Sequence, residues 1–300
     1  FKAIKRYNYK KPIILISSKD VLLSQMKELN FKFKLNLIDK NNLHLNKINN
    51  KSINIINVDF KFKKTFDKIS DKSNLFINEC FEIALKILKN KECSGLINGP
   101  ISKKNFLKED FLGITEYLAQ KTKKKNKVIM LIYNKKLAVS PVTTHLPLKL
   151  VHKNLSKKKI IDQVKLIRDF YKTNFNKEPK IAITGLNPHC ESNYKSSEEK
   201  KIIIPAIKFL VNKKYLVNGP FAADTIFLKE KLSKYDVIVG MYHDQVLTPI
   251  KTLFAFDAIN ITLGLPFIRI SPDHGPNTSM LGKNLSNPKS IIEALKFLDK

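Results

Sequence analysis

Apolar and polar positions along the chain switch repeatedly between a strand-like and a helical period. Short apolar runs bounded by polar or turn residues predict buried strands at PIILIS (12–17), SINIINV (52–58), SGLING (94–99), VIMLIY (128–133) and LAVSPVTTH (137–145). KIAITGLNPH (180–189) and YDVIVGMYHDQ (235–245) each read as a strand followed by a loop, and INITLGLPFIRIS (259–271) supplies further strands. Apolar residues recurring every three or four positions predict helices over 74–90, 155–173 and 287–300, the last capped by Asn287 with Pro288 in its first turn. A helix over 197–213 is interrupted or shifted at Pro205, and the Asn-rich stretch 41–52 reads as loop. Strands alternating with helices predict an α/β fold around a mostly parallel sheet with flanking helices. No internal repeat and no Gly/Ser/Pro-rich linker marks a domain boundary.

Composition narrows the class. At 300 residues and 43% hydrophobic content the chain can bury a core for one large or two modest domains. No uncharged apolar run approaches the roughly 18 residues that span a bilayer, and no signal-peptide pattern opens the chain. The expectation is a cytoplasmic protein without membrane contact. Because it starts at Phe1 rather than Met, inside a charged helical stretch, some N-terminal sequence is expected to be missing. Cys80, Cys93 and Cys190 lack CxxC spacing, which fits a reducing compartment. The first two read as core residues, and Cys190, beside His189, as a weaker candidate for a metal-site neighbour.

A net charge of +29 points toward nucleic acid until its make-up is considered. Only Arg6, Arg168 and Arg269 among the 55 basic residues are arginine, and the lysines are spread along the whole chain. A specific nucleic-acid binder gathers basic residues on one face and places arginine at base-reading positions. Scattered lysine reads instead as solvated surface, so no specific nucleic-acid partner is expected. The same bias gives a surviving arginine added meaning, because lysine does not replace a planar bidentate donor.

Three of the six histidines share one context: His145, His189 and His243 each follow an apolar strand-like run. That places each at the carboxyl end of a strand, the edge where open parallel sheets bind ligands. Three imidazoles converging there would form a catalytic metal site with open positions. His44 and His152 lack that context and read as surface residues, while His274 in SPDHG is a polar turn residue with possible outer-sphere use. Asp224 and Asp244 are candidate carboxylates for orienting an imidazole or relaying a proton, although Asp224 also reads as a helix cap. Lys251, Asn260 and Arg269, nine residues apart through the strand region, read as donors to a phosphate or carboxylate. Lys251 has a strong alternative as a surface salt bridge; Arg269, inside LPFIRIS, needs a partner for its charge. With no GxGxxG and no GxxxxGK[ST], spacing alone implies only a metal-assisted enzyme acting on an anionic small molecule. A three-His metallohydrolase of a phosphorylated small molecule remains an alternative, with a basic nucleic-acid-binding protein behind it.

The ordered motifs GPISKKNF, GITEYLAQKT, VTTHLPL, GLNPHCES, GPFAADTIF, YDVIVGMYHDQ, INITLGLPFIRIS and DHG, across residues 94–277, resemble the 4-hydroxythreonine-4-phosphate dehydrogenase family. The resemblance implies a two-domain α/β fold like isocitrate and isopropylmalate dehydrogenases. The expected division is 1–115 plus 272–300 as one domain and 116–271 as the other, with the active site between them. It also implies a homodimer whose active site draws on both subunits. The implied reaction is NAD-linked oxidation of 4-phosphohydroxy-L-threonine to the 3-oxo acid, which decarboxylates to 3-amino-2-oxopropyl phosphate in pyridoxal phosphate synthesis. The implied metal is divalent, zinc foremost, with magnesium, cobalt or manganese as alternatives. Carried over by position, His145, His189 and His243 are metal ligands. Thr115, Lys251, Asn260, Arg269 and Lys103 meet substrate, and Asp224 and Asp244 are the catalytic aspartates. The residues contacting NAD are not identified.

Three departures stand out. The family reads GHTE where this chain reads GITE, so Ile114 replaces a histidine that contacts substrate. The family's N-terminal GDPAGIGPE-like stretch is also absent, and the segment PNTSM after DHG is atypical.

Overall fold

In a computed structural model, all residues are described except 42, 44–46, 108–110, 112, 125, 126, 191–193 and 273. His44 and the Asp of the DHG stretch therefore lie outside the described residues. In chain order the elements begin with α1 (Lys2–Arg6), β1 (Ile14–Ser17), α2 (Lys19–Glu28), β2 (Leu35–Leu37), β3 (Ile53–Asn57), α3 (Asn74–Lys89), β4 (Gly95–Ile97) and α4 (Ile114–Lys121). They continue with β5 (Ile129–Tyr133), β6 (Ala138–Thr143), α5 (Leu148–Asn154), α6 (Lys157–Phe175), β7 (Ile181–Thr184), α7 (Ile204–Asn212), β8 (Val217–Phe221) and α8 (Lys229–Leu232). The last are β9 (Val237–Tyr242), α9 (His243–Phe254), β10 (Ile259–Leu263), β11 (Ile268–Pro272) and α10 (Lys289–Leu298).

The chain forms two compact units, Phe1–Leu118 with Phe267–Lys300, and Ala119–Pro266. In the first, β1, β3 and β2 form a parallel sheet in that order, and β4 pairs in parallel with β11. Leu22 and Met26 of α2 pack with Ile53 and Ile55 of β3. Ser18 starts that helix by accepting from the Val21 amide at 3.4 Å, as a short hydroxyl side chain at a helix N-cap does. The carboxylate of Asp299 accepts from the Lys10 and Lys11 amides at 2.9 and 2.8 Å and from the Tyr7 hydroxyl at 2.8 Å. It thereby ties the two ends of the chain together.

The second unit carries the strand order β10-β5-β6-β9-β7-β8. β10, β5 and β6 are antiparallel neighbours, whereas β6, β9, β7 and β8 all run parallel. Every residue of β7, and all of β9 before Tyr242, is buried. That explains why these strands read as unbroken apolar runs rather than alternating ones: a parallel sheet is covered on both faces. Ser156 caps α6 and Asn176 closes it in the left-handed conformation, φ 48°. Between them Ile160, Val164 and Ile167 line the buried face at helical spacing.

Two local expectations are corrected, and the expected shift at Pro205 is found. The segment after β9 is a helix and not a loop, because His243 is the first residue of α9. At Pro205 the helical stretch shifts register: a single wide turn over Glu199–Ile203 passes into α7, which puts proline in a first turn where its missing N–H costs nothing. At the C-terminus Pro288, not Asn287, is the cap residue of α10, while Asn287 Oδ1 accepts from the Lys289 amide at 3.0 Å.

Candidate active site

Four neighbouring parallel strands end on the same edge, and each delivers one candidate side chain just past its end. β6 ends at Thr143 and leads to His145; β9 ends at Tyr242, directly before His243. β7 ends at Thr184 and its loop carries His189; β8 ends at Phe221 and its turn carries Asp224. The spatial order is β6, β9, β7, β8. His145 and His189 adopt left-handed backbone, φ 50° and 55°. A non-glycine residue is uncommon there, and such conformations are held only where surrounding structure enforces them.

The rings of His145 and His243 lie with centroids 5.7 Å apart. His243 Nδ1 is 2.6 Å from Asp244 Oδ1, and His189 Nδ1 is 3.8 Å from Asp224 Oδ2. The expected convergence of all three histidines is not formed by the side chains as they stand. Among the described residues, no three His, Cys, Asp or Glu side chains are grouped to hold one ion. The donor set nevertheless suits a zinc-type ion. At His243 the Asp244 carboxylate on Nδ1 favours the tautomer that leaves Nε2 with its lone pair, the arrangement seen around metal-bound imidazoles, whereas Asp224 is beyond hydrogen-bond reach of His189. Asp224 sits in a turn before the short α8 rather than capping a helix.

The remaining second-unit candidates differ in setting. Lys251 lies exposed on α9, not in a strand as its spacing implied. Asn260 on β10 faces Ile132 in register, and its Oδ1 is buried with no hydrogen-bond partner among the described residues. An acceptor left in that state needs a donor, from water or a ligand. His152 is exposed on α5, and the Cys190 sulfur lies close against Gly185.

In the first unit Arg269 on β11 is 3% exposed. Its Nε donates to Asn98 Oδ1 at 2.8 Å and one terminal nitrogen donates to Thr115 Oγ1 at 3.5 Å. Burial pulls the guanidinium down to about 10, opposed by the nearby Glu116 carboxylate. Arg269 therefore stays cationic at neutral pH. Ile114, at the start of α4, is buried. Lys103 is exposed, and His274 Nδ1 lies 3.2 Å from the Gly275 carbonyl. Cys80 and Cys93 are only partly buried, and desolvation pushes the Cys80 thiol up to about 12.

Sequence reasoning missed Asn98, Glu116, Glu199 and Gln245. The need of Arg269 for a partner was legible, but Asn98 lies 171 positions away, and nothing in a single sequence links the two.

Residues 8–298 match the family model described as pyridoxal phosphate biosynthetic protein PdxA. The chain belongs to the PdxA family. A 4-hydroxythreonine-4-phosphate dehydrogenase of Sulfurihydrogenibium sp. (strain YO3AOP1) is 41% identical over 249 residues, covering 82% of this chain and 75% of that protein. A second, from Wigglesworthia glossinidia brevipalpis, is 35% identical over 301 residues, covering 96% and 88%. Among solved structures, a 4-hydroxythreonine-4-phosphate dehydrogenase from Klebsiella pneumoniae is similar with a TM-score of 0.80 at 25% identity, covering 96% of this chain and 90% of that one. In this PdxA chain no helix among the described residues is long and apolar enough to cross a membrane.

Proposed function

We propose that this chain oxidises 4-phosphohydroxy-L-threonine with NAD, giving a 3-oxo acid that loses CO2 to form 3-amino-2-oxopropyl phosphate in pyridoxal phosphate biosynthesis. The observation that carries the reading is the edge of four parallel strands bearing His145, His243, His189 and Asp224 in a PdxA-family chain. His145, His189 and His243 would hold a divalent ion of zinc type. Bound there, such an ion would supply Lewis acidity toward an alcohol and toward a developing enolate charge.

The chain's own residues do the rest. Asp244, hydrogen-bonded to His243, fixes the orientation of that ring, and Asp244 and Asp224 receive the hydroxyl proton directly or through water. Lys251 and Asn260 bind the substrate's polar groups. Arg269, with Thr115 beside it, and Lys103 bind anionic groups. A 3-oxo acid is a β-keto acid, so decarboxylation follows oxidation readily once the substrate is held. The enzyme works as a cytoplasmic homodimer whose active site draws on both subunits, as the family resemblance supports.

The test is turnover followed as NADH, comparing 4-phosphohydroxy-L-threonine with unphosphorylated 4-hydroxythreonine. The phosphorylated compound is expected to be used with a kcat/KM at least about a hundredfold higher, two charge-assisted contacts' worth of discrimination. Equal use of both compounds overturns the phosphate-anchoring roles.

A further inference from the structure

Buried polar side chains tie together the strand ends that carry the three histidines, and Gln245 stands at the centre. It is 9% exposed, in the first turn of α9, two residues past His243. Its Oε1 accepts from the Met241 amide at 2.7 Å and from the Thr184 hydroxyl at 2.9 Å. Its Nε2 donates to the Gly185 carbonyl at 2.7 Å. One side chain thus joins the end of β9, which leads into His243, to the end of β7 and the first residue of the loop holding His189.

The ties extend in both directions. Thr143, at the end of β6, donates its hydroxyl to the Met241 carbonyl at 2.8 Å. The strand leading to His145 is therefore bound to the residue whose amide Gln245 engages. On the other side Glu199, 2% exposed, accepts from the Leu186 and Asn187 amides at 2.8 and 2.9 Å and from Asn187 Nδ2 at 2.8 Å. These bonds grip the loop between Gly185 and His189. Two glycines make room for the arrangement. A Cβ at Gly240 would lie 3.1 Å from Gln245 Oε1 and 2.4 Å from a Val246 methyl, and one at Gly185 would lie 2.5 Å from the Cys190 sulfur.

We propose that Gln245 is a positioning residue for the metal-binding histidines, fixing the loops of His243 and His189 against each other. The inference rests on the reading of His145, His189 and His243 as metal ligands. Its physical basis is satisfaction. The amide side chain supplies two accepted bonds and one donated bond, and no apolar or acidic replacement offers the same set to Met241, Thr184 and Gly185. Left-handed backbone at His145 and His189 holds only while such neighbours enforce it.

The experiment measures zinc binding by calorimetry, and the spectrum of bound cobalt, on the full chain stripped of metal. The variants are Gln245→Met, which keeps volume and removes all three bonds, and the milder Thr184→Val, which removes one. The control is Gln163→Met, at a glutamine 3% exposed on α6 whose Nε2 donates to Ser140 Oγ at 2.7 Å, away from the strand ends. Gln245→Met is expected to weaken zinc binding by about ten- to a hundredfold, the usual effect of losing a residue that orients metal ligands. Thr184→Val is expected to weaken it a few-fold, both with an altered cobalt spectrum, while Gln163→Met stays within about twofold of the parent. Unchanged affinity and spectrum in both site variants overturns the proposal, as does an equal loss in Gln163→Met. If Gln245→Met does not fold, Thr184→Val decides. Should the parent chain bind no zinc, or bind it equally well after His243→Ala, the ligand reading fails and the proposal with it. That outcome is separate from a parent that binds and variants that match it.

Discussion

Arg269 and Asn98 meet across the parallel pair β11 and β4, with Arg269 Nε donating to Asn98 Oδ1 at 2.8 Å. Arg269 opposes Leu96 in register, so Asn98, just past the end of β4, lies beyond the last paired residues. The bond holds the guanidinium plane and leaves its terminal nitrogens oriented by that plane. Lysine at 269 has neither the Nε–H nor a planar fork. Arg269→Lys is expected to raise the Michaelis constant for the phosphorylated substrate at least about tenfold with a smaller change in kcat. Steady-state kinetics check it, and an unchanged Michaelis constant removes Arg269 from the substrate's binding set.

Ile114 precedes Thr115, whose hydroxyl accepts from Arg269, and is itself 9% exposed. Replacing it with histidine, the residue of the family pattern, buries an imidazole where a hydrocarbon now packs. Without ligand, Ile114→His is expected to be less stable by about 1–2 kcal/mol. With ligand, a restored charge-assisted hydrogen bond is expected to tighten substrate binding about tenfold. Thermal unfolding and substrate titration read the two effects separately. Unchanged binding means that position 114 does not face the substrate.

The strand ends were legible because β6, β7 and β9 are buried runs that stop at polar residues, which placed His145, His189 and His243 on one edge. The rarity of arginine likewise marks Arg269, which is buried. What the chain concealed falls into two kinds. The start of α9 at His243 follows three residues with no small polar cap, so the strand–helix junction carries no local signal. The partnerships of Gln245 with Thr184 and of Arg269 with Asn98 join residues 61 and 171 positions apart. Such pairs form because the sheet brings them together, and no local periodicity encodes them. Short β8 was missed because VNGPF contains Gly219 and Pro220, residues that ordinarily break a strand.

Asp299 gives the fold a pH dependence of definite sign. Burial raises its carboxyl, but the Lys11 and Lys10 amides and the Tyr7 hydroxyl outweigh that and hold it below its usual value. A carboxyl depressed by folding contributes stability above its unfolded pKa, and that contribution is lost as pH falls through the folded one. Asp299→Asn is therefore expected to lower the melting temperature at neutral pH, and the gap to the parent should close as pH drops from about 3.9 downward. Melting curves across that range check it, and a gap independent of pH contradicts it.

The proposed metal-dependent, NAD-linked oxidation at the edge formed by β6, β9, β7 and β8 is read out by its reduced cofactor. The most direct measurement is NADH formation from 4-phosphohydroxy-L-threonine by the chain as purified, after chelator and dialysis, and after zinc is restored. The expected result is turnover that is abolished by stripping, recovered by zinc, and absent from His243→Ala under all three conditions. NADH formed at the same rate by the stripped chain would contradict metal dependence, and none formed by the reloaded chain would contradict the proposed oxidation.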